Sequence, residues 1–220
     1  MNTNNGLASL DDLVVGYNNE QAYKAVKDMV AQFPKPGVLL LYGPSGSGKT
    51  ALLCAATKEV KKQHPKARVY WHASVDFISE MVSAIRADEI DAFRDRDIDL
   101  NVFDNLEDLL GKNATQGYLA RLIADAYHSG AQVFLAANHY CKPLKVEAML
   151  RKMIPDFTVV DLALPDQLAL ERAWISYGKS LGLPCSTDFM DYFHRSDDIK
   201  NFWPLNGLLQ TYLAKYNKQF

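Results

Sequence analysis

Val38-Leu39-Leu40-Leu41-Tyr42-Gly43-Pro44-Ser45-Gly46-Ser47-Gly48-Lys49-Thr50 is the stretch from which the rest of the chain reads outward. Its first five residues form a compact apolar run of strand length, ended by the turn residues Gly43 and Pro44. The next eight satisfy G-x-x-x-x-G-K-[ST] in full. A helical pattern follows from about Lys49 to Lys62, so the motif lies between a strand and a helix, as its mechanism requires. The glycines let the backbone turn its N–H groups inward around a polyphosphate, where side chains would collide. The helix adds the positive potential of its N-terminal end. In this role Lys49 reaches the β- and γ-phosphates and the Thr50 hydroxyl coordinates Mg²⁺. Gly43, Pro44, Ser45, Gly46, Ser47, Gly48, Lys49 and Thr50, with Ala51 behind them, are therefore assigned to ATP or ADP. The alternative is a chance glycine-rich turn, which the flanking strand and helix disfavour.

Around this anchor, short apolar runs alternate with helix-period stretches. Ala22, Ala25, Val26, Met29, Val30 and Phe33 set the rhythm of an amphipathic helix over Asn19–Phe33, stopped by Pro34 and Pro36. Strands are expected at Val69–Trp71, Leu100–Phe103, Val133–Leu135 and Thr158–Leu162. Between them the pattern predicts helices over Phe77–Phe93, Thr115–His128 and Lys145–Met153. Five buried-type strands separated by helices imply an α/β fold, a parallel five-stranded sheet covered on both faces. Beyond Pro165 the pattern changes. Asp166–Leu181, Thr187–Phe193 and Phe202–Tyr216 all read as helices with no strand between them. The expected division is an α/β nucleotide-binding domain over residues 1–165 and a small helical domain over residues 166–220.

The chain has 220 residues, and its 48% hydrophobic and 23% charged content is ordinary for a globular protein. With 26 acidic against 24 basic residues the net charge is −2, which excludes the whole-surface basic footprint of a general nucleic-acid binder. The basic cluster Lys58, Lys61, Lys62, Lys66 and Arg68 reads as a solvated helix end in preference to a DNA patch. Cys54, Cys141 and Cys185 have no zinc or C-x-x-C spacing, which favours a reducing compartment. Met1–Gly6 is polar and lacks the apolar core of a secretory signal. No run approaches the roughly 18 apolar residues of a membrane span. A soluble, cytoplasmic protein is expected.

Two strand ends carry further chemistry. Asp104, directly after Leu100–Phe103, is placed to hold the water shell of the same Mg²⁺ as Thr50; capping a turn is its alternative role. In hydrolysing enzymes of this layout a second acid commonly follows, but here the next residue is Asn105. An amide cannot take the proton of an attacking water. Glu107 is the candidate substitute. Asn138, after Gln132–Ala137, is placed to orient water or the γ-phosphate, the alternative being a turn-forming asparagine. Asp104, Asn138 and Glu107 are thus the catalytic candidates, with slow hydrolysis expected.

Laid out in this way, the chain resembles the AAA+ ATPase domain of the bacterial replication initiator DnaA and its short relative Hda. Leu13-Val14-Val15-Gly16 with Asn19 is similar to the family's "FVVG..N" box near the adenine, which implies a nucleotide contact for Val14 and Val15. Asp104-Asn105-Leu106-Glu107 with Gly111-Lys112 and Thr115-Gln116 is similar to "DDIQ...GK..TQ". Gln132 to Asn138 is similar to "QIVLTSD", whose last residue is the sensor 1 position. Thr158–Leu162 followed by Leu164-Pro165-Asp166 resembles the strand leading into the lid. The resemblance implies a five-stranded core with a three-helix lid.

The departures are as informative. The family's "LRSRF" stretch, source of an arginine finger, reads Leu150-Arg151-Lys152-Met153-Ile154, so the finger position falls on Met153. The lid's sensor 2 arginine falls on Trp203 in Asn201–Gly207. An arginine finger contributes on the order of 10³–10⁵ in rate, so fast turnover and nucleotide-driven filament assembly are not expected. With the sequence ending at Phe220, the helix-turn-helix domain of full-length initiators is not expected in it. The resemblance implies action in replication initiation or its regulation, with an initiator, sliding clamp or helicase as partner and nucleotide acting as a conformational ligand. The alternative is a nucleotide-stabilised adaptor or helicase-loader-like module without turnover. A small-molecule kinase is disfavoured by Trp203. Single-stranded DNA binding around Ile78 is disfavoured because the supporting basic position falls on Ala114.

Overall fold

A computed structural model of the protein describes residues 9–90, 97–109, 112–139, 148–196 and 199–216. Five parallel strands form one sheet: β1 (Gly37–Tyr42), β2 (Val69–Ala73), β3 (Leu100–Asp104), β4 (Gln132–Ala137) and β5 (Thr158–Asp161), in the order β2-β3-β4-β1-β5. β1, β3 and β4 are buried along nearly their whole length and mostly apolar, because each is covered on both faces, as in parallel sheets; Asn101 and Asp104 in β3 and Gln132 in β4 are the buried polar exceptions. Alternation sends Val38 and Leu40 of β1 to one face and Leu39 and Leu41 to the other. On the first face they join Phe103, Val133 and Leu135 beneath α3 (Ser74–Arg86), α4 (Asn113–His128) and α5 (Ala148–Met153). On the second, Val102, Phe134 and Ala136 pack under α1 (Glu20–Gln32) and α2 (Lys49–Gln63).

The strand at Val69 continues two residues past its expected end, and α3 starts at Ser74 instead of Phe77. The polar His72 obscured this extension. In the sheet it pairs with Phe103, and the two rings stack with centroids 4.3 Å apart. The Phe93 end of that helix, residues 145–147 of the helix expected over Lys145–Met153, Gly111 and Cys141 lie outside the described residues. Cys54 and Cys185 are free thiols.

α6 (Gln167–Ser180), α7 (Thr187–His194) and α8 (Trp203–Tyr216) follow β5. Asp166 starts α6 by accepting the Ala169 N–H at 2.7 Å, and Ser186 starts α7 by accepting that of Phe189. The three helices share an aromatic cluster centred on the fully buried Trp174, which stacks on Phe189 (4.5 Å) and donates its indole N–H to the Phe189 carbonyl at 3.1 Å. α6 and α7 approach closely at Gly178, where a Cβ would fall 2.4 Å from the Phe189 ring. No helix among the described residues is long and apolar enough to cross a membrane.

Candidate functional site

Because β4 lies between β1 and β3, the segments leaving these three strands emerge side by side at one edge of the sheet. The loop from Gly43 leaves β1, Asp104 ends β3 and Asn138 follows β4. This edge, at the carboxyl ends of parallel strands, is where open α/β sheets bind ligands.

The loop backbone is one that only glycine adopts readily. Gly46 has φ +80° and Gly48, which caps α2, has φ +102°. A Cβ on Gly43 (φ +154°) would stand 2.2 Å from the Leu162 carbonyl oxygen. Lys49, 7% exposed, spans this turn from within. Its ammonium donates to the carbonyls of Gly43 (2.7 Å) and Pro44 (3.0 Å) and to Asn138 Oδ1 (3.0 Å). Burial lowers its pKa from the ordinary value, against the opposing charges of Glu107 and Asp104.

Thr50 Oγ1 donates to Asp104 Oδ2 at 2.8 Å, which brings the two candidate metal ligands together. The Asn105 N–H binds the other carboxylate oxygen at 3.0 Å. Burial raises the pKa of Asp104; the Thr50 hydroxyl, the Asn105 N–H and the Lys49 charge lower it in turn. Asn105 is exposed and sits at φ +59°, a region asparagine and aspartate tolerate better than most residues. Glu107 faces Asn138, accepting its backbone N–H at 3.0 Å and its side-chain amide in a very short contact.

A cavity of about 500 Å³ opens beside the loop. Its walls are Asp12, Leu13, Val14 and Asn19 on one side, Gly48, Ala51 and Leu52 below, and Ala173, Ser176, Tyr177, Lys179, Ser180 and Phe202 on the other. Val14 and Ala51 thus line it, whereas Val15 does not. Asn19 shapes the wall: its amide donates to the Val14 carbonyl and accepts the Gly16 N–H, both at 2.9 Å. Burial pushes the Tyr177 phenol upward, leaving it protonated.

The α6 residues and Phe202 carry no motif and reach the cavity only through packing. The turn before α8 lies directly on the phosphate loop. Phe202 donates its N–H to the Gly46 carbonyl at 3.0 Å, and a Cβ on Gly46 would meet the Asn201 side chain at 2.5 Å.

Met153 is half-buried against the first-face core, while Arg151 and Lys152 are exposed. Trp203 is 81% exposed. In the basic cluster, Lys61 donates to the Ala67 carbonyl, Lys62 pairs with Glu59, and Arg68 pairs with Asp97 and Asp99. Gln116 is buried and donates to the Leu109 carbonyl at 2.8 Å, anchoring the 3-10 turn Leu106–Leu109 that carries Glu107.

A phosphate loop after β1, a threonine–aspartate pair on the adjoining strand ends and helices packed against the same crevice define a P-loop domain of the AAA+ type. A family model described as the bacterial DnaA ATPase domain matches residues 5–159, and the chain belongs to that family. A chromosomal replication initiator protein DnaA of Thermus thermophilus is 29% identical over 213 residues, 94% of this chain. The chain spans about half (48%) of that relative's length. Among solved structures, domain III of Thermotoga maritima DnaA superposes with a TM-score of 0.85 at 22% identity, covering 96% of this chain and 90% of the other. At that identity the likeness is one of fold. A replication initiator DnaA bound to AMPPCP and single-stranded DNA superposes with a TM-score of 0.79 at 25% identity, covering 96% of this chain and 68% of that one.

Proposed function

We propose that this protein binds ATP or ADP with Mg²⁺ and acts in replication initiation or its regulation, with weak or absent hydrolysis. The observation that carries the reading is the loop at Gly43–Thr50 with Lys49 buried inside it and the cavity beside it. The site fits a polyphosphate. Its glycines hold conformations that keep side chains out of the cradle, and Ser47 Oγ is buried there without a hydrogen-bond partner among the described residues. The neighbouring cavity, with Val14 and Ala51 in its walls, has room for the nucleoside, and the AMPPCP-bound relative supports the same ligand class.

Thr50 and Asp104 would hold the metal, whose part is to neutralise phosphate charge. Lys49 grips the β- and γ-phosphates by exchanging its carbonyl partners for phosphate oxygens. Asn105 and Asn138 take no proton from water, and neither Met153 nor Trp203 supplies a cation to the γ-phosphate. Nucleotide then works chiefly as a conformational ligand, through unequal affinity for different placements of the C-terminal helices. The separate aromatic core of α6–α8 supports a domain division at residue 165. The family supports a cytoplasmic setting with an initiator, clamp or helicase as partner.

Titration calorimetry with ATP and with ADP, each with and without Mg²⁺, tests the reading. Micromolar or tighter binding of either is expected; no binding of both overturns it. Phosphate release then separates weak hydrolysis from the turnover-free adaptor, which the uncharged residues at 105, 153 and 203 favour. An adaptor releases no phosphate over many hours, with or without single-stranded DNA.

A further inference from the structure

Lys49, Asn138 and Glu107 form one chain of hydrogen bonds. Lys49 Nζ donates to Asn138 Oδ1 at 3.0 Å, and Asn138 in turn donates both its backbone N–H and its side-chain NH₂ to the two Glu107 oxygens. The charges at either end dictate which way the amide faces. Its carbonyl lies toward an ammonium and its NH₂ toward a carboxylate; the flipped amide would set both dipoles against their neighbours. Glu107 has a firm base for this task, because its turn is tied down by the buried Gln116 at the Leu109 carbonyl.

Gly43 O, Pro44 O and Asn138 Oδ1 between them take all three Lys49 donors. Asn138 Oδ1 is the one side-chain acceptor of the three, and Lys49 can leave it when phosphate arrives without any change in the loop backbone. It is also neutral, so it lacks the charge–charge attraction that a carboxylate would add to the hold on the ammonium. The charge of Glu107 stays in the network one residue further out. In the family motifs quoted above, the amide stands at the position of Glu107 and the acid at that of Asn138. Here the two are exchanged.

We propose that Glu107 is a positioning residue: it fixes the Asn138 amide so that a neutral, releasable carbonyl, in place of a carboxylate, holds Lys49 until a phosphate replaces it. This rests on the nucleotide-binding reading above and names the side chains that set the availability of its lysine. It also gives Glu107 a task other than accepting a proton, each of its oxygens already taking one hydrogen bond from Asn138.

The test compares the full chain with N138D and with the reversed pair E107Q/N138D, by thermal melting without nucleotide and by ATP calorimetry. N138D sets two carboxylates face to face and is expected to lower the melting temperature by roughly 5 °C. The reversed pair restores a donor opposite an acceptor and should recover to within about 2 °C of the wild type. Its ATP affinity should nevertheless stay roughly three- to tenfold below wild type, because the carboxylate introduced by N138D now ion-pairs with Lys49. Failure of the reversed pair to recover melting means that the two residues do not act together and overturns the proposal. Recovery of both melting and affinity overturns it too, leaving Glu107 a structural partner only. A wild-type chain that binds no ATP overturns the nucleotide reading itself, and the role given to Glu107 with it.

Discussion

The phosphate loop and the turn at Asn201–Trp203 touch each other, yet they are built on opposite principles. The loop is a backbone device: glycines at φ +80° and +102°, and a lysine held largely by main-chain carbonyls. The turn adds side chains to a single backbone bond from the Phe202 N–H to the Gly46 carbonyl: Asn201 is wedged against Gly46, the Phe202 ring lies beside Gly48, and its three residues carry no charge. A backbone cradle recognises phosphate whatever surrounds it, because its N–H groups are present in every sequence that folds this way. An uncharged turn responds to a ligand through shape and through its one hydrogen bond to the loop. In the proposed reading, the grip on phosphate is therefore intrinsic to the loop, while the message passed to the C-terminal helices travels through packing and the Phe202–Gly46 hydrogen bond.

Several substitutions would break or refine this contrast. Lys49→Ala should abolish nucleotide binding in calorimetry, the largest effect, and unchanged ATP affinity would remove the basis for treating the loop as a cradle. Trp174→Ala, at the centre of the C-terminal aromatic cluster, should cost about 3–5 kcal/mol. If α6–α8 stand as a domain of their own, scanning calorimetry will show a separate early transition for them; a single transition shifted as a whole would argue for one cooperative unit. Gly46→Ala meets both a left-handed backbone and the Asn201 side chain, and is expected to cost about 1–3 kcal/mol. Adding Asn201→Ala should return part of that loss, and full recovery would show that the contact with the turn, not the backbone angle, constrains the loop. Asn105→Asp should raise phosphate release by about tenfold at most, since one general base is worth on the order of 10²–10⁴ only with the rest of the machinery present. No rise at all would point to the missing cations at Met153 and Trp203 as limiting.

Much of this was legible in the chain because local patterns carried it. An apolar run followed by G-x-x-x-x-G-K-T announces β1, the loop and α2, since the same residues that make the strand, the turn and the helix also make the motif. Asp104 was legible for a similar reason: a polar residue at the end of a buried strand interrupts the apolar run. His72 shows the limit of that logic, because a polar letter inside β2 hid two strand residues that its stacking on Phe103 secures. Glu107 was visible as an acid near the site but not as the partner of Asn138, for nothing in a pairing across 31 positions leaves a local trace.

The order of residues was by itself enough to settle the sheet-and-helix class, the phosphate loop and the absence of charge at 105, 153 and 203, because each is a property of one residue or of neighbours along the chain. Which way the Asn138 amide faces, that α6 and Phe202 wall the cavity, and that Asn201 lies on Gly46 were decided only when distant segments met. Such contacts depend on the shapes and charges of both surfaces together, and neither surface carries that information alone.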